Sequence, residues 1–131
     1  MAPGDVIVKG LDLVFEDGKT VSYDLTGDLS ELYDNRAEVK RGITYKIVLR
    51  FQVVAELVQG LRLFCDFKRK GIRVDKIPSS IRSYVKGDHE YQSETYEMPR
   101  GFLAKGPYTM EFRFKNQEET FLEWEIPFDL E

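Results

Sequence analysis

Ten residues from Thr44 to Val53, TYKIVLRFQV, place an apolar side chain at every second position. Tyr45, Ile47, Leu49, Phe51 and Val53 alternate with Thr44, Lys46, Val48, Arg50 and Gln52. A period of two belongs to the β-strand, whose successive side chains leave opposite faces. The same rhythm returns along the chain. Leu11, Leu13 and Phe15 share a face, as do Val21, Tyr23 and Leu25. So do Leu61, Leu63, Cys65 and Phe67, then Tyr108, Met110, Phe112 and Phe114, and finally Leu122, Trp124, Ile126 and Phe128.

Turn residues separate these runs. Asp17-Gly18 marks a hairpin between the first two. Residues 61–75 read as a hairpin with a basic tip, and KNQEET turns the chain into its last strand. The one helical candidate is DLSELYDNR at 28–36, a turn or two long, with Ser30 or Asp28 as its N-cap. Residues 77–100 are the least regular and predict one edge strand with long loops. Several strands of similar length divided by turns predict an all-β antiparallel sandwich or barrel, one domain over residues 1–131.

Composition narrows the function classes. A chain of 131 residues with 42% hydrophobic and 32% charged residues can bury a core without a metal or disulfide. Its single cysteine, Cys65, excludes an internal disulfide and suits a reducing compartment. The net charge of −4 argues against nucleic acid. No apolar run approaches the roughly 20 residues of a membrane span. The first ten residues do not read as a signal peptide. The expectation is a soluble cytoplasmic protein.

Catalysis lacks a constellation. His89 stands alone in a polar stretch, and Cys65 alternates with core residues, as an inert buried thiol does. One cysteine and one histidine make no zinc site, and no glycine loop cradles phosphate. No cofactor is expected. The basic cluster Lys68, Arg69, Lys70, Arg73 and Lys76 reads as a solvated hairpin tip. What stands out is the apolar load: Phe15, Tyr23, Tyr45, Phe51, Phe67, Tyr108, Phe112, Phe114, Trp124 and Phe128 all point inward. They either fill a core or wall a slot for an apolar guest, and pattern alone does not separate the two.

Seven segments in order carry a resemblance: DLTGDL (24–29), FQVVAELVQGL (51–61), RKGIRVDK (69–76), SY (83–84), EY (90–91), PRGFLAKGPY (99–108) and LEWE (122–125). Together they closely resemble the C-terminal domain of Rho GDP-dissociation inhibitors, from about Val6 to the end of the chain. The resemblance implies an immunoglobulin-like β-sandwich that takes the geranylgeranyl tail of a prenylated Rho-family small GTPase between its sheets. This keeps the GTPase soluble, with no stable membrane insertion and a carrier that is monomeric alone. A broader prenyl carrier serving several small GTPases is the alternative.

By position, the resemblance implies prenyl contacts from Leu13, Tyr45, Ile47, Phe51, Leu57, Leu61, Leu103, Met110, Trp124 and Ile126. It implies GTPase contacts from Asp75, Glu94, Glu97, Glu118 and Glu119, the four glutamates forming an acidic slot mouth. The family's N-terminal arm is not in this sequence, so the resemblance does not by itself imply inhibition of GDP release. Ala37 and Ile126 stand where the family has an aromatic and a second tryptophan, and both changes remove volume. Arg36 and Pro107 replace serines that relatives carry.

Overall fold

Strand pairing arranges the chain as two sheets that share one long strand. The computed structural model describes residues 2–131. Its strands are β1 (Val6–Phe15), β2 (Thr20–Asp24), β3 (Ala37–Val39), β4 (Thr44–Arg69), β5 (Ile72–Ile77), β6 (Arg82–Gln92), β7 (Tyr96–Glu97), β8 (Gly106–Lys115) and β9 (Thr120–Leu130). The first sheet runs β2-β1-β4, with β6 and β7 on the far side of β4. The second runs β5-β4-β8-β9-β3. All pairs are antiparallel except β3 with β9, which is parallel. The expected all-β antiparallel sandwich is therefore the fold, with one parallel pair added.

The two strands expected at 44–53 and 61–68 are a single 26-residue strand. Its first half pairs with β1 from Tyr45 to Val53, and its second half with β8 from Arg62 to Lys68. Between them the register against β6 slips at Val53/Leu57 and again at Val58/Leu61. Gly60 sits there at φ +69°, a left-handed conformation that costs a side chain roughly 1–2 kcal/mol. Bulges of this kind bend a strand. Here they carry β4 from one sheet into the other.

A second bulge explains a phase change in β1. Val6 and Val8 point inward, then Leu11, Leu13 and Phe15, with the register shifting between Val8 and Gly10. Gly10 is required by its neighbour: a Cβ there would lie 2.6 Å from Arg50 Nη2. Arg50 in turn donates to Asp12 at 2.7 and 3.3 Å. That charge-assisted bond holds the Asp12 carboxyl below its ordinary range.

The expected helical turn is a 3-10 helix, Leu29–Asp34, capped by Asp28, whose carboxylate accepts from Ser30 N at 3.0 Å. The turn Asp17-Gly18 forms as expected, with Gly18 at φ +88°. Residues 77–100 contain the expected edge strand, longer and with less loop than expected, and a second short strand, β7. They hold the 11-residue strand β6, paired along much of β4. Of its side chains only Tyr91 is fully buried, so the strand carries too little apolar alternation for its length to be read.

The inward rows of both sheets meet in one core cluster running from Val6 to Leu130. Aromatic pairs stitch it together. Phe112 stacks on Trp124 at 5.2 Å and Tyr108 on Phe128 at 5.5 Å. Phe51 makes edge contacts with Tyr84 and Phe114, both at 4.9 Å. Cys65 lies in this core, and burial pushes its thiol well above the ordinary range. Two buried polar atoms, Tyr23 OH and Trp124 Nε1, have no hydrogen-bond partner among the described residues.

Candidate functional site

At the bend of β4 lies a surface recess of about 450 Å³, within the range of small-molecule sites. Leu57, Gln59 and Gly60 of β4 line one side, Ile81 another, and Asn116, Gln117 and Glu118 of the β8–β9 turn the third. Asn116 holds this rim in place. Its Nδ2 donates to the Gln59 carbonyl at 3.3 Å, and its Oδ1 accepts from the backbone N–H groups of Glu118 and Glu119 at 3.0 and 2.8 Å. One buried amide thus fastens the hairpin turn to the bend.

The recess carries exposed apolar surface. Leu57 is 44% exposed and Ile81 64%, and Val85 lies opposite Leu57 across the β4–β6 pair. One residue along the same ladder, Val58 pairs with Tyr84, which packs against Phe51 and through it Phe114. An apolar surface opening therefore adjoins the aromatic part of the core.

The structure sorts the ten apolar positions into three places. Leu13, Tyr45, Ile47, Phe51, Leu61, Met110, Trp124 and Ile126 all lie in the core. Leu57 lines the recess. Leu103 is 83% exposed and does not join the others. Its backbone explains this. Arg69 reaches across from the end of β4, donating to the Leu103 and Lys105 carbonyls at 2.7 and 2.6 Å and to Tyr108 OH at 3.2 Å. The short 3-10 turn Phe102–Ala104 is held by its main chain, and Phe102 and Leu103 project outward.

The five acidic positions do not form one cluster. Glu118 and Glu119 stand on the β8–β9 turn, Glu118 at the recess. Asp75 pairs with Phe67 near the far end of β4, seven residues past the bend, or about 23 Å along the strand. Glu97 pairs with Thr44, at the opposite terminus of the same strand, and engages Arg100 at 2.5 Å. Because β4 runs to the bend and back, its two ends lie together. Asp75, Tyr96 and Cys65 all act electrostatically on Tyr45, although burial is the main cause of the upward shift of its phenol. Glu94 likewise faces Tyr91 and Tyr96, whose phenols are raised chiefly by burial. Tyr96 OH donates to the Pro78 carbonyl at 2.7 Å, tying β7 to the segment after β5.

Two acidic groups at opposite ends of the sandwich are what the tertiary structure makes of a single expected acidic mouth. The recess residues Gln59, Gly60, Ile81, Asn116 and Gln117 lay outside the expected set. The signal that could have found them was Gly60, a glycine interrupting an otherwise continuous apolar strand at LVQGL, which marks a bulge or close approach. Among the described residues no group of His, Cys, Asp and Glu is placed to hold a metal ion, and no helix is long and apolar enough to cross a membrane.

Comparison with known proteins agrees with this architecture. A solved Niemann-Pick type C2 protein from Japanese carpenter ant superposes with a TM-score of 0.59 at 12% identity, over 95% of this chain and 93% of its own. That likeness concerns the immunoglobulin-like fold. By sequence, the chain is 35% identical over 125 residues to Rho GDP-dissociation inhibitor 1 of Homo sapiens, covering 92% of this chain and 61% of the relative. It is 39% identical over 108 residues to Rho GDP-dissociation inhibitor 3 of Homo sapiens, covering 80% of this chain and 48% of the relative. The chain thus spans about half to three fifths of these relatives. The profile of the family described as RHO protein GDP dissociation inhibitor, a family of inhibitors and not of enzymes, matches residues 1–131. With its fold and its sequence in agreement, this chain belongs to the Rho GDP-dissociation inhibitor family.

Proposed function

We propose that this chain binds the geranylgeranylated C-terminus of a Rho-family small GTPase and shields the lipid from water. The observation that carries the reading is the recess at the β4 bend, where exposed Leu57 and Ile81 adjoin the Phe51–Tyr84–Phe114 cluster. The lipid enters there and continues between the sheets. The eight core candidates are packed against one another, so entry requires the sheets to separate at the bend. That is where β4 is bulged and its pairing with β6 is interrupted.

A geranylgeranyl chain has about twenty carbons, and burying each CH₂ contributes about 0.8 kcal/mol. The gross gain is on the order of ten kcal/mol before the costs of ordering the chain and opening the sheets. A bilayer offers the same gain, so holding the GTPase off a membrane needs protein contacts as well. Glu118 and Glu119 at the recess suit a basic segment next to the lipidated cysteine. Asp75 and Glu94, at the other end, suit the folded body of the partner. Each exposed ion pair is worth little alone, so these contacts act as groups.

The test compares the affinity of this chain for a geranylgeranylated Rho-family GTPase with that for the same GTPase without its lipid. The lipidated form is expected to bind at least a hundredfold more tightly, about 2.7 kcal/mol, a minor part of the gross gain. Equal affinities refute the reading.

A further inference from the structure

Beside the recess, on the outer face of the second sheet, lies a basic surface with an aromatic centre. Leu61, Leu63, Cys65 and Phe67 point into the core, so Arg62, Phe64, Asp66 and Lys68 leave the opposite face of β4. Phe112 and Phe114 do the same for β8, leaving Glu111, Arg113 and Lys115 outside. Three cations gather over one ring: the guanidinium carbons of Arg62 and Arg113 lie 5.0 and 5.2 Å from the Phe64 centroid, and Lys115 Nζ lies 5.9 Å from it.

The register makes this arrangement unfavourable as folding. Arg62 and Lys115 are direct cross-strand partners, and like charges in that position destabilise a sheet. The carboxylates of this face do not relieve them. Glu111 engages Lys68 at 2.5 Å, and Asp66 lies 3.8 Å from Arg113 and 4.0 Å from Arg73. Glu123 stands opposite Arg113 on β9, one row further along the sheet. Among the described residues Arg62 donates to Ser79 Oγ alone, at 3.3 Å. The Phe64 ring offsets part of this cost through its cation contacts, but among the described residues neither Arg62 nor Lys115 meets a carboxylate, and such crowding of cations at one corner points to a role outside the fold.

Position supplies that role. Arg62 follows Gly60 by two residues, and Lys115 directly precedes Asn116, so both stand at the edge of the recess. The corner thus combines exposed Leu57, Ile81 and Val85 with Arg62, Arg113, Lys115 and a half-exposed Phe64. Apolar side chains flanked by cations and an aromatic ring are the chemistry of the water–lipid boundary. We infer that this corner docks onto anionic membrane surfaces, with Arg62, Arg113 and Lys115 facing lipid headgroups and the recess turned toward the bilayer. The acidic turn of Glu118 and Glu119 opposes close approach on one side and sets the tilt of the molecule. The inference rests on the prenyl-binding reading only for its purpose, which is to bring the recess to a lipid before extraction or release.

The test uses the whole chain, without any GTPase, and vesicles of phosphatidylcholine alone or with added phosphatidylserine. Sedimentation should recover the protein with the anionic vesicles only, and raised salt should release it. Arg62→Gln with Lys115→Gln should weaken binding about fivefold per cation removed, some 25-fold together. Lys19→Gln, on the β1–β2 turn, should lose no more than threefold. The double variant removes a like-charge pair together with two cation contacts to Phe64 and the Ser79 hydrogen bond; it should remain folded under the assay conditions and bind a geranylgeranylated peptide unchanged. Equal recovery on both vesicle types, no recovery on either, or a double variant that binds like the parent overturns the inference. So does binding of a single-stranded oligonucleotide that the double variant loses while keeping its vesicle affinity. Loss of prenyl-peptide binding in unmodified protein would instead sink the proposed function, which the vesicle experiment leaves untouched.

Discussion

Leu57→Arg separates the recess from the rest of the apolar surface. Leu57 is 44% exposed, so a lipid lying in the recess has that fraction left to cover. Fully burying a leucine is worth about 1.5–3 kcal/mol, so covering the remainder contributes about 0.7–1.3 kcal/mol. Arginine forfeits this contact, and its guanidinium must also keep its hydration or lose about 1 kcal/mol of hydrogen bonding. The sum is about 2 kcal/mol, or about thirtyfold in affinity. The assay is a titration with geranylgeranylated peptide, followed through Trp124, the single tryptophan, which is stacked on Phe112 in the core. Leu103→Arg is the control, since Leu103 is 83% exposed at the far end of the sandwich. Both substitutions fall on partly or largely exposed positions and should change stability by no more than about 0.5 kcal/mol. If Leu57→Arg binds like the parent, or Leu103→Arg weakens binding as much with an unchanged melting curve, the lipid does not enter at the β4 bend.

Two further expectations concern the scaffold. Burial pushes the Tyr23 phenol up to about 12, so the folded state resists its ionisation. That contribution is complete below the unfolded value near 10 and is lost as pH rises through about 12. Tyr23→Phe, which also removes a buried hydroxyl without a partner, should leave neutral-pH stability equal or up to about 1 kcal/mol higher. It should also move the alkaline unfolding transition upward. An alkaline transition at the same pH in both proteins would contradict this. Arg69→Gln should free the Phe102–Ala104 turn, since the side chain bonds two of its neighbouring carbonyls. Hydrogen exchange should accelerate at least tenfold in residues 101–106 while β9 stays protected. Unchanged exchange in that segment would mean that the clamp does not hold it.

Much of the fold was legible because a two-sided strand writes its burial directly into period two. The rows Leu61–Phe67, Tyr108–Phe114 and Trp124–Phe128 are buried on the face the alternation indicates, with Leu122 half-buried at the head of the last. The rhythm failed where a strand has no fully buried face, as in β6, and where a bulge shifts the phase, as between Val8 and Gly10. It also could not tell one bent strand from two straight ones. β4 reads as a pair because the bulges near Leu57 and Gly60 interrupt the pattern that a turn would interrupt in the same way. For the site, Leu57 and Leu103 look alike in sequence, each an apolar residue near a glycine. Only the Arg69 clamp and the β4–β6 pairing place one outside and the other at an opening.

From residue order alone came most of the strands, their inward faces, the lack of a catalytic constellation and the family, each a property of local spacing. The tertiary structure decided which spaced residues meet. It bent β4 so that its ends adjoin, divided five acidic side chains between two ends of the sandwich, and fastened the β8–β9 turn to Gln59 through Asn116. It also set Arg62 against Lys115, a pairing across 53 positions of sequence that register alone creates. Spacing along a strand fixes the face on which a side chain lies. The partner across the sheet depends on where the chain turns back, and β4 turns back at two bulges that a sequence records only as a glycine and a break in rhythm.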